Sequence, residues 1–190
     1  MLAVICHLAS VALRHQAGDL DGEAYSLYKL GELYKESGSK KKSLEAYDAA
    51  LAIYRQLKDS ASIADVYNEK GSVYLQDENY KKATDWLEMA RGISSKSTVE
   101  ATYRLGLAWH MIDTSRARKY YLEALQKSRR DDNTGYSFYI SRMLALMAYR
   151  SQDWATGDQY YADCERLSGE IKTAYSRALC LSLKAARFEA

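Results

Sequence analysis

What most constrains this chain is a phrase that recurs along it. Gly-x-x-Tyr closes one amphipathic stretch, and the next opens with a small residue, an aromatic four positions on and an alanine three beyond that. The clearest copy holds Leu30, Gly31 and Tyr34, then Ser43, Tyr47 and Ala50; the second holds Lys70, Gly71 and Tyr74, then Ala83, Leu87 and Ala90. A third runs Leu105, Gly106 and Trp109 into Ala117, Tyr121 and Ala124, and a worn fourth runs Leu144, Ala145 and Ala148 into Gly157, Tyr161 and Cys164. The aromatic slot steps from 47 to 87, 121 and 161, intervals of 40, 34 and 40 residues. Periods of this size mark a stacked array, because each unit leaves one face bare until a neighbour covers it.

Those positions resemble the tetratricopeptide repeat, a helix-turn-helix unit with a usual period of about 34 residues. The resemblance implies an all-α fold, a right-handed superhelical solenoid of antiparallel helix pairs, about four pairs with a lone helix at each end. Stepping back one long period from Ser43, Tyr47 and Ala50 reaches Ala3, His7 and Ser10. Residues 1–17 therefore read as the second helix of a preceding repeat, followed by repeats over 24–58, 62–95 and 98–130, a degenerate one over 136–168, and a terminal first helix over 170–190 with Tyr175, Ala178 and Leu179. The expectation is one domain over 1–190, with the lone helices either capping the array or belonging to a longer one. The chain has no proline, whereas the family often ends its second helix with one; here those slots hold Arg55 and Ser95. Continued helix at these points would account for the longer steps, about six residues being some one and a half turns. Long repeats of this kind resemble those of spindle-orientation adaptors, kinesin light chains and bacterial sensor or regulator proteins.

Boundary signals agree. Gly38 follows one first helix, at the place where a left-handed residue commonly ends a helix. Asp19 and Asp59 stand ahead of two first helices as N-caps, and Ser97-x-x-Glu100 has the pattern of a capping box. Gly31, Gly71, Gly106, Ala50, Ala90 and Ala124 would let helices approach closely, with Tyr34, Tyr47, Tyr74 and Tyr121 filling the gaps; most of the seventeen tyrosines are therefore scaffold.

Several function classes find no support. No run of about 18 apolar residues is present to span a membrane, and the apolar stretch from Leu2 to Leu13 fits the repeat phase and lacks a basic leader. Cys6, Cys164 and Cys180 have no paired spacing and two of them fall near core slots, so buried reduced thiols are expected, which favours a cytoplasmic location. His7, His15 and His110 are too scattered for a metal site, and no glycine loop is placed to cradle a phosphate, so neither metal nor cofactor is expected. Cys164 takes the small packing slot of Ala50, Ala90 and Ala124 instead of serving His110 as a nucleophile, and no enzyme is expected. A formal charge of +2 and basic clusters at Lys40-Lys41-Lys42, Arg116-Ala117-Arg118-Lys119 and Arg129-Arg130 fit solvated outer faces and argue against nucleic acid.

The family resemblance implies a role in protein interaction. In that family the first helices line a concave groove, one position after the glycine slot and three and six before it. Here those positions hold Tyr25, Tyr28 and Glu32; Asp65, Asn68 and Ser72; Glu100, Tyr103 and Leu107; and Tyr139, Arg142 and Leu146, joined one turn later by His110 and Tyr149. The Lys and Asn set that grips an acidic chain terminus in carboxylate-clamp members is absent, which argues against a chaperone tail as ligand. The expected groove is tyrosine-lined and acidic through Glu32, Asp65 and Glu100, then basic through Arg104, Arg142 and Arg150. It suits a peptide that is basic toward the first half and acidic or phosphorylated near Arg142. Two classes fit: an adaptor or scaffold that binds a partner protein, and a peptide-sensing domain of a bacterial regulator. Self-association through uncovered end faces is a third expectation.

Overall fold

The computed structural model describes residues 2–93 and 98–189. Ser95 and Ser97, and with Ser97 the proposed capping box, lie outside the described residues, as does the side chain of Ala3. The described residues form ten helices and no strand: α1 Leu2–Ala17, α2 Leu20–Glu36, α3 Lys40–Leu57, α4 Ser60–Gln76, α5 Tyr80–Ile93, α6 Thr98–His110, α7 Thr114–Arg130, α8 Thr134–Arg150, α9 Trp154–Ile171 and α10 Ala174–Glu189. None of these helices is long and apolar enough to cross a membrane.

The turns follow one rule. A residue with positive φ closes each of seven helices, at Gly18, Gly38, Lys58, Glu78, Asp132, Gln152 and Lys172. The first four stand 20 residues apart, and so do the last three. At the first six, the N–H of the following residue reaches back to a carbonyl five positions earlier, as in Asp19 to Arg14, Ser39 to Tyr34, Asp59 to Tyr54 and Asp153 to Ala148. This is the six-to-one bond of a Schellman motif, which satisfies carbonyls that a helix end would otherwise leave orphaned. The residue making it is also positioned to start the next helix. Asp19 accepts from the Gly22 N–H, Asp59 from Ala61 and Ser62, Asn133 from Tyr136 and Asp153 from Thr156. Helix plus turn thus takes 20 residues, and two such modules make the 40-residue step. α6 departs from the rule: it is 13 residues long and is followed by a turn at 111–113 with no left-handed residue, which is where the step falls to 34.

The chain forms two compact units, Met1–Arg104 and Leu105–Ala190, divided within α6. In the first, α2 pairs with α3 and α4 with α5, α1 packs on α2, and the first helices α2 and α4 lie side by side. In the second, α8 pairs with α9, α7 packs on α8, and α10 lies against both α8 and α9.

The repeat slots are close-packing devices. A Cβ on Gly31 would sit 2.5 Å from Cε1 of the fully buried Tyr47, one on Gly71 2.5 Å from Cγ of Leu87, and one on Gly106 2.4 Å from Cε1 of Tyr121. The Ser43 hydroxyl donates to the Gly31 carbonyl at 2.8 Å, tying the two helices of that pair together. Tyr34 and Tyr74 are only half-buried, with lysine ammonium groups over their rings, Lys42 on Tyr34 and Lys40 and Lys82 on Tyr74. The fourth pair inverts the arrangement. Its glycine is on the second helix, Gly157, and the aromatic that covers it is Tyr149 from the first helix, with a Cβ-to-ring distance of 2.3 Å. Tyr161, in the sequence slot for that aromatic, is half-buried instead.

Candidate functional site on the first-helix faces

In the first unit the expected site residues come from α2, α4 and the opening of α6. Tyr25 is half-exposed on α2, and one turn on the Lys29 ammonium sits 5.6 Å from the centroids of both the Tyr25 and Tyr28 rings. Lys29 also donates to Glu32 at 2.7 Å, which raises the lysine pKa. Tyr28 lies against the buried Tyr47, ring centroids 5.8 Å apart. Burial holds its hydroxyl strongly neutral, and the charges of Glu69, Glu32 and Asp65 push the same way. The structure therefore gathers Tyr28, Glu32 and Asp65 around one face.

At the centre is a residue that the groove pattern passes over. Glu69 is 6% exposed. One carboxylate oxygen accepts from Lys35 on α2, and the other from Arg104 at 2.8 Å on α6. The same guanidinium donates to the Asn68 carbonyl at 3.0 Å and pairs with Glu100 at 2.6 Å. Burial alone would raise the Glu69 pKa, but the Arg104 and Lys35 cations together outweigh it and hold the carboxyl below its ordinary range. The result is an alternating chain, Lys35, Glu69, Arg104 and Glu100, that ties three first helices together. Beside it Asn68 is 2% exposed, and its side-chain oxygen has no hydrogen-bond partner among the described residues. Ser72 and Tyr103 are half-buried.

This geometry changes the electrostatic expectation. Glu32 is neutralised by Lys29 and Glu100 by Arg104. Arg104, expected to begin a basic half, is a structural cation inside the acidic cluster. The face is patterned by paired charges and tyrosine, not by a bare acidic stripe. Glu69 sits two positions before the glycine slot, on the side that packs toward neighbouring first helices. An acidic residue followed by lysine at Glu69-Lys70, inside an otherwise apolar phase, is the signal that could have found it.

The second unit holds Leu107, His110, Tyr139, Arg142 and Leu146. Leu107, His110, Arg142 and Leu146 are half-buried and Tyr139 is exposed. The His110 ring lies 6.4 Å from that of Tyr121, and among the described residues its Nδ1 is buried without a partner, as are Nε of Arg142 and Oγ of Ser141. Burial, followed by the nearby Arg150 charge, lowers the His110 pKa. Tyr149 does not join this face. It is 1% exposed, packed on Gly157, and its hydroxyl donates to Asp158 at 3.0 Å; burial and that contact raise its pKa to about 12. Among the described residues no group of three or more His, Cys, Asp and Glu side chains is placed to hold a metal.

Residues 23–96, which contain α3, α4, α5 and most of α2, match the tetratricopeptide repeat family. Over this segment the chain is similar to tetratricopeptide repeats. The described helices beyond them continue the same architecture, as solved structures show. Aspartyl phosphate phosphatase F from Bacillus subtilis superposes with a TM-score of 0.82 at 13% identity, over 87% of this chain and 45% of that one. RapI in its apo form gives 0.85 at 12% identity, over 97% and 53%. BtubC from P. vanneervenii gives 0.72 at 16% identity, over 98% and 90%. This chain thus spans about half the length of the first two of these proteins and most of the third. At such identities the likeness is one of fold. Comparison with curated protein sequences finds no match.

Proposed function

We propose that this array is a non-catalytic protein-interaction module, an adaptor or scaffold, whose first-helix face in the first unit takes a peptide segment of a partner protein. The observation that carries the reading is Asn68: an amide oxygen that is buried, unpaired and held beside a fixed ionic chain. An acceptor left without a donor costs about 1–3 kcal/mol, and a peptide N–H that reaches it as the face opens on binding offsets that cost. Tyrosine supplies contact area at low conformational cost, and the Lys29–Glu32 pair and Asp65 set the register of a bound chain more than its affinity. Ser72, Glu100 and Tyr103 extend the same face.

Selection of a displayed library of random twelve-residue peptides tests this. Enriched peptides should lose at least tenfold in affinity, measured by fluorescence anisotropy, on Tyr25→Ala, on Asn68→Ala, and on Glu32→Lys combined with Asp65→Lys, with helical circular dichroism retained. Affinities unchanged by all three variants would place binding elsewhere and defeat the proposal.

A further inference from the structure

Two of the three cysteines, sixteen residues apart in sequence, meet in the second unit. The sulfurs of Cys164 on α9 and Cys180 on α10 are 3.2 Å apart, and both residues are buried, at 0% and 5% exposure. They sit in one apolar cluster with Phe138, Ala145, Tyr149, Leu167 and Leu183. Neither thiol is what the repeat requires at its position. Cys164 fills the slot that alanine fills as Ala50, Ala90 and Ala124, and the residue one long period before Cys180 is Ile140. α10 itself is held by a narrow stripe. Among its described side chains the buried ones are Ser176, Cys180 and Leu183, supported by the Ser168–Ser176 hydroxyl pair at 3.1 Å and by Arg187 on Asp158 at 2.9 Å, while Tyr175 and Leu181 face outward.

We propose that Cys164 and Cys180 form a redox modification site, which hydrogen peroxide converts to a disulfide that ties α10 to α9. One thiol attacks the peroxide oxygen, giving a sulfenic acid and one water. The second sulfur then attacks the sulfenic sulfur, forming the S–S bond and releasing a second water. The two thiols lose two protons and two electrons, and the peroxide is reduced. From 3.2 Å the sulfurs need only close to about 2.05 Å, so the helices are already in register for the bond. Burial, and then the neighbouring Cys180, raise the Cys164 pKa; with the thiolate as the reactive form, oxidation proceeds through molecules in which the end of α10 has lifted. The bond closes a loop spanning sixteen residues, a length for which the chain-entropy effect slows opening of α10 by about 100-fold. The inference is independent of the peptide-binding reading.

The test uses the whole chain with Cys6→Ser, which removes the exposed thiol. Native protein is treated with hydrogen peroxide, then examined by intact mass, peptide mapping and amide hydrogen exchange. The expected result is loss of two hydrogen masses, a peptide bearing Cys164 linked to one bearing Cys180, reversal by a thiol reductant, and α10 exchange slowed about 100-fold. A Cys164→Ala variant, which restores the residue of the other repeats, should show no link and no slowing. Oxygen addition to the thiols without a link, a link that forms only in denaturant, or a link that leaves α10 exchange unchanged would each overturn the proposal.

Discussion

Glu69→Gln is the sharpest probe of how the first unit holds its interaction face. The substitution preserves shape and removes one charge from the chain Lys35, Glu69, Arg104, Glu100. Breaking a buried ion pair by removing one partner costs about 3–5 kcal/mol, because the other charge stays buried without compensation. Arg104 retains Glu100 at 2.6 Å and the Asn68 carbonyl at 3.0 Å, so its share of the loss is partial. Lys35, with a side chain 13% exposed, has Glu69 as its only ion-pair partner among the described residues. The lower end of the range, about 3 kcal/mol, is therefore expected, corresponding to about 100-fold faster opening. Hydrogen exchange with mass spectrometry reads this helix by helix, and repeat arrays open locally enough for units to report separately. Amides of α2 and α4 should exchange about 100-fold faster, while those of α8 and α9 serve as an internal control and stay unchanged. Acceleration below tenfold in α4 would mean that the ion chain is effectively solvated. Equal acceleration in α8 and α9 would mean that the effect is not local to the network.

Other perturbations follow from the same geometry. Gly31→Ala drives a Cβ to 2.5, 2.6 and 2.9 Å from three atoms of the buried Tyr47 ring, an overpacking worth about 1–3 kcal/mol of lost stability in urea titration. Gly169→Ala, inside α9 with nothing within 4 Å of the new carbon, should instead stabilise by about 0.5–1 kcal/mol; loss of stability there would refute the packing account of the repeat glycines. Lys58 and Glu78 adopt φ of 57° and 55°, so each change to glycine should add roughly 0.5–1 kcal/mol, the left-handed cost removed less the entropy of glycine. Stability should also fall at acid pH in two ways. The Glu69 carboxyl is held low in the fold, so its contribution is complete above the unfolded value of about 4.3 and is lost as pH drops through the folded value. The His110 pKa is lowered in the fold, so the unfolded chain takes up its proton first and stability declines as pH falls below about 6.5. His110→Phe should flatten the near-neutral slope and Glu69→Gln the acid one in pH-dependent urea midpoints.

The helices and their order were legible in the residues because the forces that set them act within a few positions. A left-handed residue followed by Asp, Ser or Asn, as at Gly18-Asp19, Gly38-Ser39, Lys58-Asp59 and Glu78-Asn79, ends one helix and begins the next through bonds spanning at most six residues. Glycine and alanine slots opposite Tyr47, Leu87 and Tyr121 report which faces approach, since only a missing side chain admits those atoms. Even Asp19 and Asp59 could be assigned as caps from position alone. What the tertiary structure alone decided was pairing across the repeats. Glu32, Glu100 and Arg104 carry the same formal charges in the sequence as in the fold, yet the fold spends those charges on one another and on Lys29 and Glu69. Tyr149 turned inward because the fourth pair places its glycine on the second helix, and Cys164 met Cys180 because α10 docks where no sequence spacing marks the contact. Spacing along a chain encodes local geometry, whereas the partner of a buried charge or thiol is chosen by distances that exist only once the helices have packed.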